Sequence, residues 1–427
     1  MAEERKYWNE KVETMPIDKL KKLQEEKLQQ IVTMAYEKTA LYRRKFDSVG
    51  VKPQDIKTVD DLQKLPFTEY IEDFCNTPME EKMTVPMEEI KIVSSTSGTV
   101  SGFTQPFLMT KQEWENLRDF EARFRWTIGV RPNDVAFVLT GFDCCPEGYK
   151  NLGATFLLGH CGRRNMDHQI KLIDVMGVTV LEHLPSLVLM YFARAKELGI
   201  DIKKTKLRLV SGVGEGWAET YKKKVEAEYG LPFRTGYGSV EGGGVGAECE
   251  MGGAMHIFSD CCIFEVIDPD TKKVLGVGEE GELVCTSFVN QSIPSIRYRM
   301  GDVAKILPYE PCACGRTHPK ISMVRGRVGQ IMKINGKKIL PIDIEEVVAS
   351  TDGLGEEYQI ILPKSGPIQT LEVKAEHRPE IQDVTALKNR FEEAIYNQLG
   401  IESKTELVPQ GSLSKAIFKA QRIVTAQ

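Results

Sequence analysis

The sequence lacks any apolar run long enough to cross a bilayer. The longest, LPSLVLMYFA from Leu184 to Ala193, falls far short of the roughly 20 residues a helical span needs. It shows no secretory leader: the N-terminal MAEERKYWNEK is charged and has no apolar core. It has no basic excess either. With 56 Lys and Arg against 61 Asp and Glu, the formal charge of −5 offers no concentrated positive surface, which argues against nucleic acid as a partner. The ten cysteines come without an export signal, so they read as reduced thiols or metal ligands rather than as a disulfide framework. No internal repeat and no low-complexity tract is visible. The expectation is a cytoplasmic chain with no membrane partner.

What is present is alternation. The 427 residues suffice for two or more domains. In the first fifty, Leu20, Leu23, Ile31, Val32 and Ala35 recur at helical spacing. Strand-like segments come next, at Val135–Phe142, Val178–Leu184 and LRLVSG. Among and after them, IKLIDVMG and YKKKVEAEYG read as helices ending at Gly177 and Gly230. This pattern predicts an α/β fold with a mainly parallel sheet. From Cys261 the texture turns antiparallel and β-rich, with turns at Asp268–Asp270 and Gly276–Gly281. Near Arg327 it changes again. EYQIIL and TLEVKAE read as strands and VTALKNRFEEAIYNQLG as a helix ending at Gly400, a compact α+β unit. The expected domains are 1–327 and 328–427.

The loop STSGTVSG after Ser94 is rich in hydroxyls and glycine. Glycines let backbone amides converge on one point and hydroxyls add donors, so such a loop can cradle phosphate oxygens. Without a lysine it is no Walker loop, and taken alone it reads more readily as an exposed turn. It does not stand alone. In order, the chain carries TSGT (Thr96–Thr99), VGEGW (Val213–Trp217), YGSVE (Tyr237–Glu241), GELV (Gly281–Val284), RYRMGD (Arg297–Asp302), VRGRVGQIMKINGKKILPIDIEE (Val324–Glu346) and SKAIFKAQRIV (Ser414–Val424).

Nearly end to end, this series resembles the adenylate-forming superfamily, and within it the phenylacetate–coenzyme A ligase branch. The resemblance implies a large N-terminal adenylation domain and a small mobile C-terminal domain. It implies an AMP-forming reaction in which a carboxylate becomes an acyl adenylate and then a coenzyme A thioester. ATP, Mg²⁺ and coenzyme A are the implied cofactors, and a homodimer is suggested.

The resemblance also implies roles for particular residues. Ser97, Gly98 and Thr99 hold the β- and γ-phosphates. Gly214, Glu215 and Gly216 flank the adenine, while Tyr237, Gly238 and Ser239 complete the slot, with the Tyr237 ring stacked on the base. Glu241 coordinates Mg²⁺. Asp302 accepts the ribose hydroxyls, and Arg327 reaches the ribose or phosphate. Lys419 contacts the α-phosphate and carboxylate, and Lys333 and Gly336 meet the pantetheine arm of coenzyme A. The chain departs from the family pattern at Val100, Ser101 and Phe103 in the loop, at Val240 where a hydroxyl is usual, and at Phe418 beside the lysine. Gly329 stands at the hinge.

Two regions remain open to alternatives. Cys249 and His256, with Cys312 and Cys314, could supply a tetrahedral structural zinc set. His318 competes with His256, and some of these thiols could equally be buried and free. Cys144, Cys145, Cys261 and Cys262 read as packed thiols. Phe142 is either an aromatic wall of the acyl pocket or a core residue. Three functions are carried: an acid–coenzyme A ligase acting on an aromatic or related acid; an adenylyltransferase passing AMP to a deazaflavin cofactor; and a zinc-stabilised remnant that binds nucleotide or protein.

Overall fold

The computed structural model describes residues 5–95, 106–139, 144–159, 165–239, 246–364, 366–413 and 422–425. The chain divides into two compact units, Met1–Leu158 with Arg234–Val324, and Gly159–Phe233 with Arg325–Gln427. No helix among the described residues is long and apolar enough to cross a membrane.

In the first unit the helix Ile17–Lys38 buries Leu20, Leu28, Ile31, Val32 and Ala35. All but Leu20 share a core with Tyr42, Phe46, Leu62 and Ile263. Leu28 rather than Leu23 completes the buried stripe. The helix Lys111–Ile128 starts at a capping box, in which Thr110 and Glu113 satisfy each other's amides. It stops at Gly129, whose φ of 109° a residue with a Cβ would rarely adopt. Glu113 also accepts from the amides of Gln291 and Ser292 at 2.8 and 2.7 Å. One buried carboxylate thus fixes both a helix start and a distant loop.

Val135–Val138 and Thr155–Leu158 pair in parallel. The strands Phe233–Tyr237, Gly246–Glu248, Met255–Ile257 and Lys320–Ile321 run antiparallel in succession. A β-rich layer comes after them: Cys262–Ile267, Gly281–Ser287 and Tyr298–Ala304, all antiparallel. Its first turn forms because the Asp268 carboxylate accepts from the amides of Asp270 and Thr271, at 3.1 and 2.8 Å. Phe74, Phe107, Met255, Phe264, Leu283 and Tyr298 are among the side chains that make the core of this layer.

In the second unit Val180–His183 pairs in parallel with Leu209–Gly212. The helix Glu219–Tyr229 ends at Gly230 in the left-handed region, where the spacing predicts its stop. The C-terminal sheet runs in the order Ser403–Pro409, Leu371–His377, Leu354–Leu362, Ile423–Thr425, the central pair antiparallel and both outer pairs parallel. The helices Pro341–Ser350 and Val384–Leu399 share its core, with Leu387, Phe391 and Ile395 wholly buried. Truncating Phe391 to Ala there costs about 3–5 kcal/mol, the usual loss for a buried aromatic, and denaturant unfolding measures it. A hairpin, Met332–Ile334 with Lys337–Ile339, turns tightly at Asn335 and Gly336, both at positive φ.

Candidate active site and metal centre

Four candidate ligands meet in the first unit. The ligand atoms of Cys249, His256, Cys312 and Cys314 all lie within 4.8 Å of one another. Each arrives for a local reason. Cys249 follows the strand Gly246–Glu248. The buried Glu248 carboxylate takes the amides of Thr235 and Gly253, at 2.9 and 2.8 Å, and so holds the turn beyond Cys249 against the strand Phe233–Tyr237. His256 lies in the strand Met255–Ile257. Cys312 and Cys314 sit on a loop pinned by Tyr7, whose hydroxyl donates to the Cys314 carbonyl at 3.1 Å, and by the buried Arg316–Glu13 ion pair at 2.7 Å.

The spacing is that of a tetrahedron. Bonds of about 2.3 Å to sulfur, at tetrahedral angles, set neighbouring sulfurs about 3.8 Å apart. Cys249 Sγ and Cys312 Sγ are 3.8 Å apart, and Cys314 Sγ lies 3.4 Å from His256 Nε2. His256 Nδ1 faces the His318 carbonyl at 3.1 Å, which fixes the tautomer that leaves Nε2 able to serve as a ligand. The contact with Cys249 holds the Cys314 thiol well below the ordinary thiol range, and the same contact pushes Cys249 up. Sequence spacing leaves His318 as a competitor. The structure gives its ring other work: Nδ1 accepts from the Ser259 amide at 3.1 Å and Nε2 faces the Val12 carbonyl at 2.8 Å. Among the adjacent pairs, Cys145 and Cys262 are buried and Cys261 half-buried.

A second pair forms in the same unit. Tyr237, at the end of its strand, donates its hydroxyl to Asp302 Oδ2 at 2.6 Å, and its ring tilts over Phe264 at 6.3 Å. Asp302, in the strand Tyr298–Ala304, is 8 % exposed. Gly238 and Ser239 continue directly from Tyr237.

The second unit holds the other described candidates. Gly214, at φ 88°, Glu215 and Gly216 follow the carboxyl end of the parallel strand Leu209–Gly212, the edge where open α/β sheets receive ligands. Glu215 accepts from the Ser186 amide at 2.6 Å. Arg327 is exposed at the strand Gly326–Arg327, and its amide donates to Gln330 at 3.0 Å. Lys333 is exposed on the hairpin whose turn holds Gly336. Ser97, Gly98, Thr99, Phe142, Glu241 and Lys419 lie outside the described residues.

The chain is similar throughout its length to known proteins. A phenylacetate–coenzyme A ligase of Aromatoleum evansii is 30% identical over 431 residues, covering 97% of this chain and 96% of that protein. The chain belongs to the phenylacetate–coenzyme A ligase family. It is an AMP-forming acid–thiol ligase of the adenylate-forming superfamily. The family member from Thermus thermophilus is 29% identical over 429 residues, covering 95% of this chain and 96% of that one. Residues 336–427 match the AMP-binding enzyme C-terminal domain. The same fold appears in a 2-hydroxyisobutyryl-CoA ligase crystallised in the postadenylation state with 2-HIB-AMP. That chain is 24% identical with a TM-score of 0.92, the match covering all of this chain and 94% of that one.

Within the ligase, sequence reasoning missed the supports of the cysteine–histidine cluster. Glu13, Tyr7 and Arg316 brace the candidate metal centre across some 300 residues, and no spacing announces that. Just beyond the Gly214–Gly216 segment, Glu346 takes the amides of Glu219 and Thr220, and no motif signals that either.

Proposed function

We propose that this ligase activates an aromatic or related carboxylic acid with ATP and passes the acyl group to the thiol of coenzyme A. The acid's carboxylate oxygen attacks the α-phosphorus, and the bond to pyrophosphate breaks. The thiol sulfur then attacks the acyl carbon, and the carbon–oxygen bond to AMP breaks. Both steps crowd negative charge, so donors and cations must meet it. Ser97, Gly98 and Thr99 hold the outer phosphates, and Lys419 meets the α-phosphate and carboxylate. Gly214, Glu215 and Gly216 flank the adenine, with Tyr237 stacked on it and Gly238 and Ser239 beside it. Asp302 takes the ribose hydroxyls and Arg327 the ribose or phosphate. Glu241 holds Mg²⁺, which neutralises polyphosphate charge when bound. Phe142 walls the acyl group. Residues 328–427 act as the mobile domain, with Lys333 and Gly336 facing the pantetheine arm. The protein works in the cytoplasm, where thiols stay reduced.

The observation that carries this reading within the fold is the Tyr237–Asp302 pair. A nearly buried carboxylate oriented by the Tyr237 phenol suits a vicinal diol, whose hydroxyls donate to carboxylate oxygens. Tyr237→Phe keeps the ring and deletes that bond. It should raise the KM for ATP about three- to tenfold, the effect of one hydrogen bond of ~1 kcal/mol. Pyrophosphate exchange at varied ATP measures it, with the KM for the acid nearly unchanged.

We further infer that Cys249, His256, Cys312 and Cys314 hold a structural zinc ion. Four protein ligands and no open position suit a staple rather than a catalyst.

The deciding experiment screens carboxylates by pyrophosphate release, with and without coenzyme A. Release should require an acid, and a thioester should form only with coenzyme A. AMP attached stably to a phenolic acceptor, with no thioester from any acid, would replace this reading with the adenylyltransferase one.

A further inference from the structure

Two helices of the second unit begin at residues that cannot cap them. Pro185–Glu197 has Leu184 at its N-cap and Glu219–Tyr229 has Ala218, and neither makes a side-chain cap bond. The first amides of a helix have no partner within it and carry partial positive charge. Both helices borrow a carboxylate from elsewhere. Glu215 accepts from Ser186 at 2.6 Å. For the second helix the carboxylate comes from the 336–427 domain. Glu346 accepts from the Glu219 amide and, at 3.2 Å, from the Thr220 amide. Two successive amides are therefore held by one acidic side chain.

The contact is anchored on both sides. One turn along, the Lys224 ammonium donates to the Ala349 carbonyl, in the last turn of Pro341–Ser350. Ala218, Tyr221 and Ala349 are buried together, with Leu189 and Trp217 packed on them. Small side chains at 218 and 349 are what let the two helices approach. Trp217 stacks on Tyr221 at 5.8 Å, so the chain between Gly216 and the helix is tied to the same contact.

We propose that Glu346 is a positioning residue that couples docking of the 336–427 domain to the order of the Gly214–Gly216 segment. It caps the helix into which that segment runs, from a domain that carries Lys419. When the domain leaves, two amides lose their acceptor and the helix start loosens. The nucleotide consequence rests on the reading of Gly214–Gly216 as the adenine flank; the cap itself does not.

Hydrogen exchange on the full-length protein, with and without Glu346→Ala, tests the cap without nucleotide. The peptide spanning 213–222 should exchange at least tenfold faster in the variant, with the melting temperature within a few degrees of the parent. The partner change Glu219→Pro removes one donor amide and keeps a residue well suited to the first helical position. Glu346→Ala should add much less exchange in that background than alone. Pyrophosphate exchange should then show a rise of about five- to tenfold in the KM for ATP with kcat within twofold, and Glu346→Asp should recover part of it. Unchanged exchange at 213–222, or full additivity with Glu219→Pro, overturns the cap. Faster exchange with an unchanged KM for ATP overturns the coupling. A Tyr237→Phe variant that also leaves the KM for ATP unchanged would place the fault in the nucleotide reading instead.

Discussion

Cys314→Ser should strip the purified protein of its metal, from about one equivalent to almost none, and lower its stability by ~3 kcal/mol or more. In a chain of 427 residues that is a fall of about 3 °C in the thermal midpoint. Serine keeps the size of cysteine and loses the thiolate. The loss is large because of what the four ligands join. Cys249 and His256 flank one strand turn, and Cys312 and Cys314 sit on a loop between Ile306 and Lys320 with no helix or strand of its own among the described residues. That loop is otherwise tied by Tyr7, by the Arg316–Glu13 pair, and by the Thr317 and Ile257 amides reaching the Glu13 and Pro319 carbonyls at 3.0 and 2.8 Å. Without the ion, crowded sulfurs remain buried with nothing to bind their charge. His318→Gln should behave differently. Its ring bonds to Val12 and Ser259 rather than to the ion, so metal content should hold while stability falls modestly. Metal analysis with thermal unfolding reads both. A parent protein with far less than one equivalent of zinc after purification without chelator would end this account.

The cluster of Cys249, His256, Cys312 and Cys314 was legible because its residues are rare and closely spaced: with six histidines in the chain, Cys-x6-His beside Cys-x-Cys narrows the choice quickly. His256 against His318 was not legible. Both spacings suit a ligand, and only the backbone around Ser259 and Val12 separates them. Helix ends at Gly230 and Gly400 arise from local torsion, which a sequence carries directly. The strand Ser403–Pro409 did not announce itself, since SKTELVP buries only Thr405 and is held by its ladder with Leu371–His377. Tyr237 and Asp302 were each identifiable from their motifs, but their hydrogen bond joins positions 65 apart. The borrowed caps lie further still. Ala218 before ETYKKKVEAEY reads as an ordinary helix entry, and PIDIEE reads as another; that the second supplies the acceptors for the first is a property of packing, not of pattern.

Docking of the 336–427 domain on the helix Glu219–Tyr229 should weaken as pH rises from about 4.5 to about 7 and change little above that. The group responsible is Glu345, whose carboxyl burial pushes up from 4.5 to about 7. From its own helix Glu346 adds like charge, and from the Gly214–Gly216 segment Glu215 does the same. Tyr221 and Tyr358 face it as neutral phenols, both pushed up by burial, and Glu356 and Glu357 are the acids of the adjoining strand. Among the described residues the cation against it is Arg422. That guanidinium lies 3.7 Å from Glu345 but 2.8 Å from Glu357 and 4.4 Å over the Tyr358 ring, so its charge is largely engaged elsewhere and burial prevails. Docked, Glu345 holds its proton more tightly than when the domain is free and the carboxyl returns to ordinary values. Docking therefore takes up a proton: its stabilisation is complete below about 4.5 and is lost as pH climbs through about 7. The rise corresponds to ~3 kcal/mol, about two orders of magnitude in the docking equilibrium. Glu345→Gln imitates the protonated form and should make docking independent of pH across this window, at or above the wild-type level near pH 8. Exchange of the 213–222 amides, corrected for intrinsic rates and followed from pH 5 to 8, distinguishes the cases. A parallel pH dependence in parent and variant would assign the titration to another group.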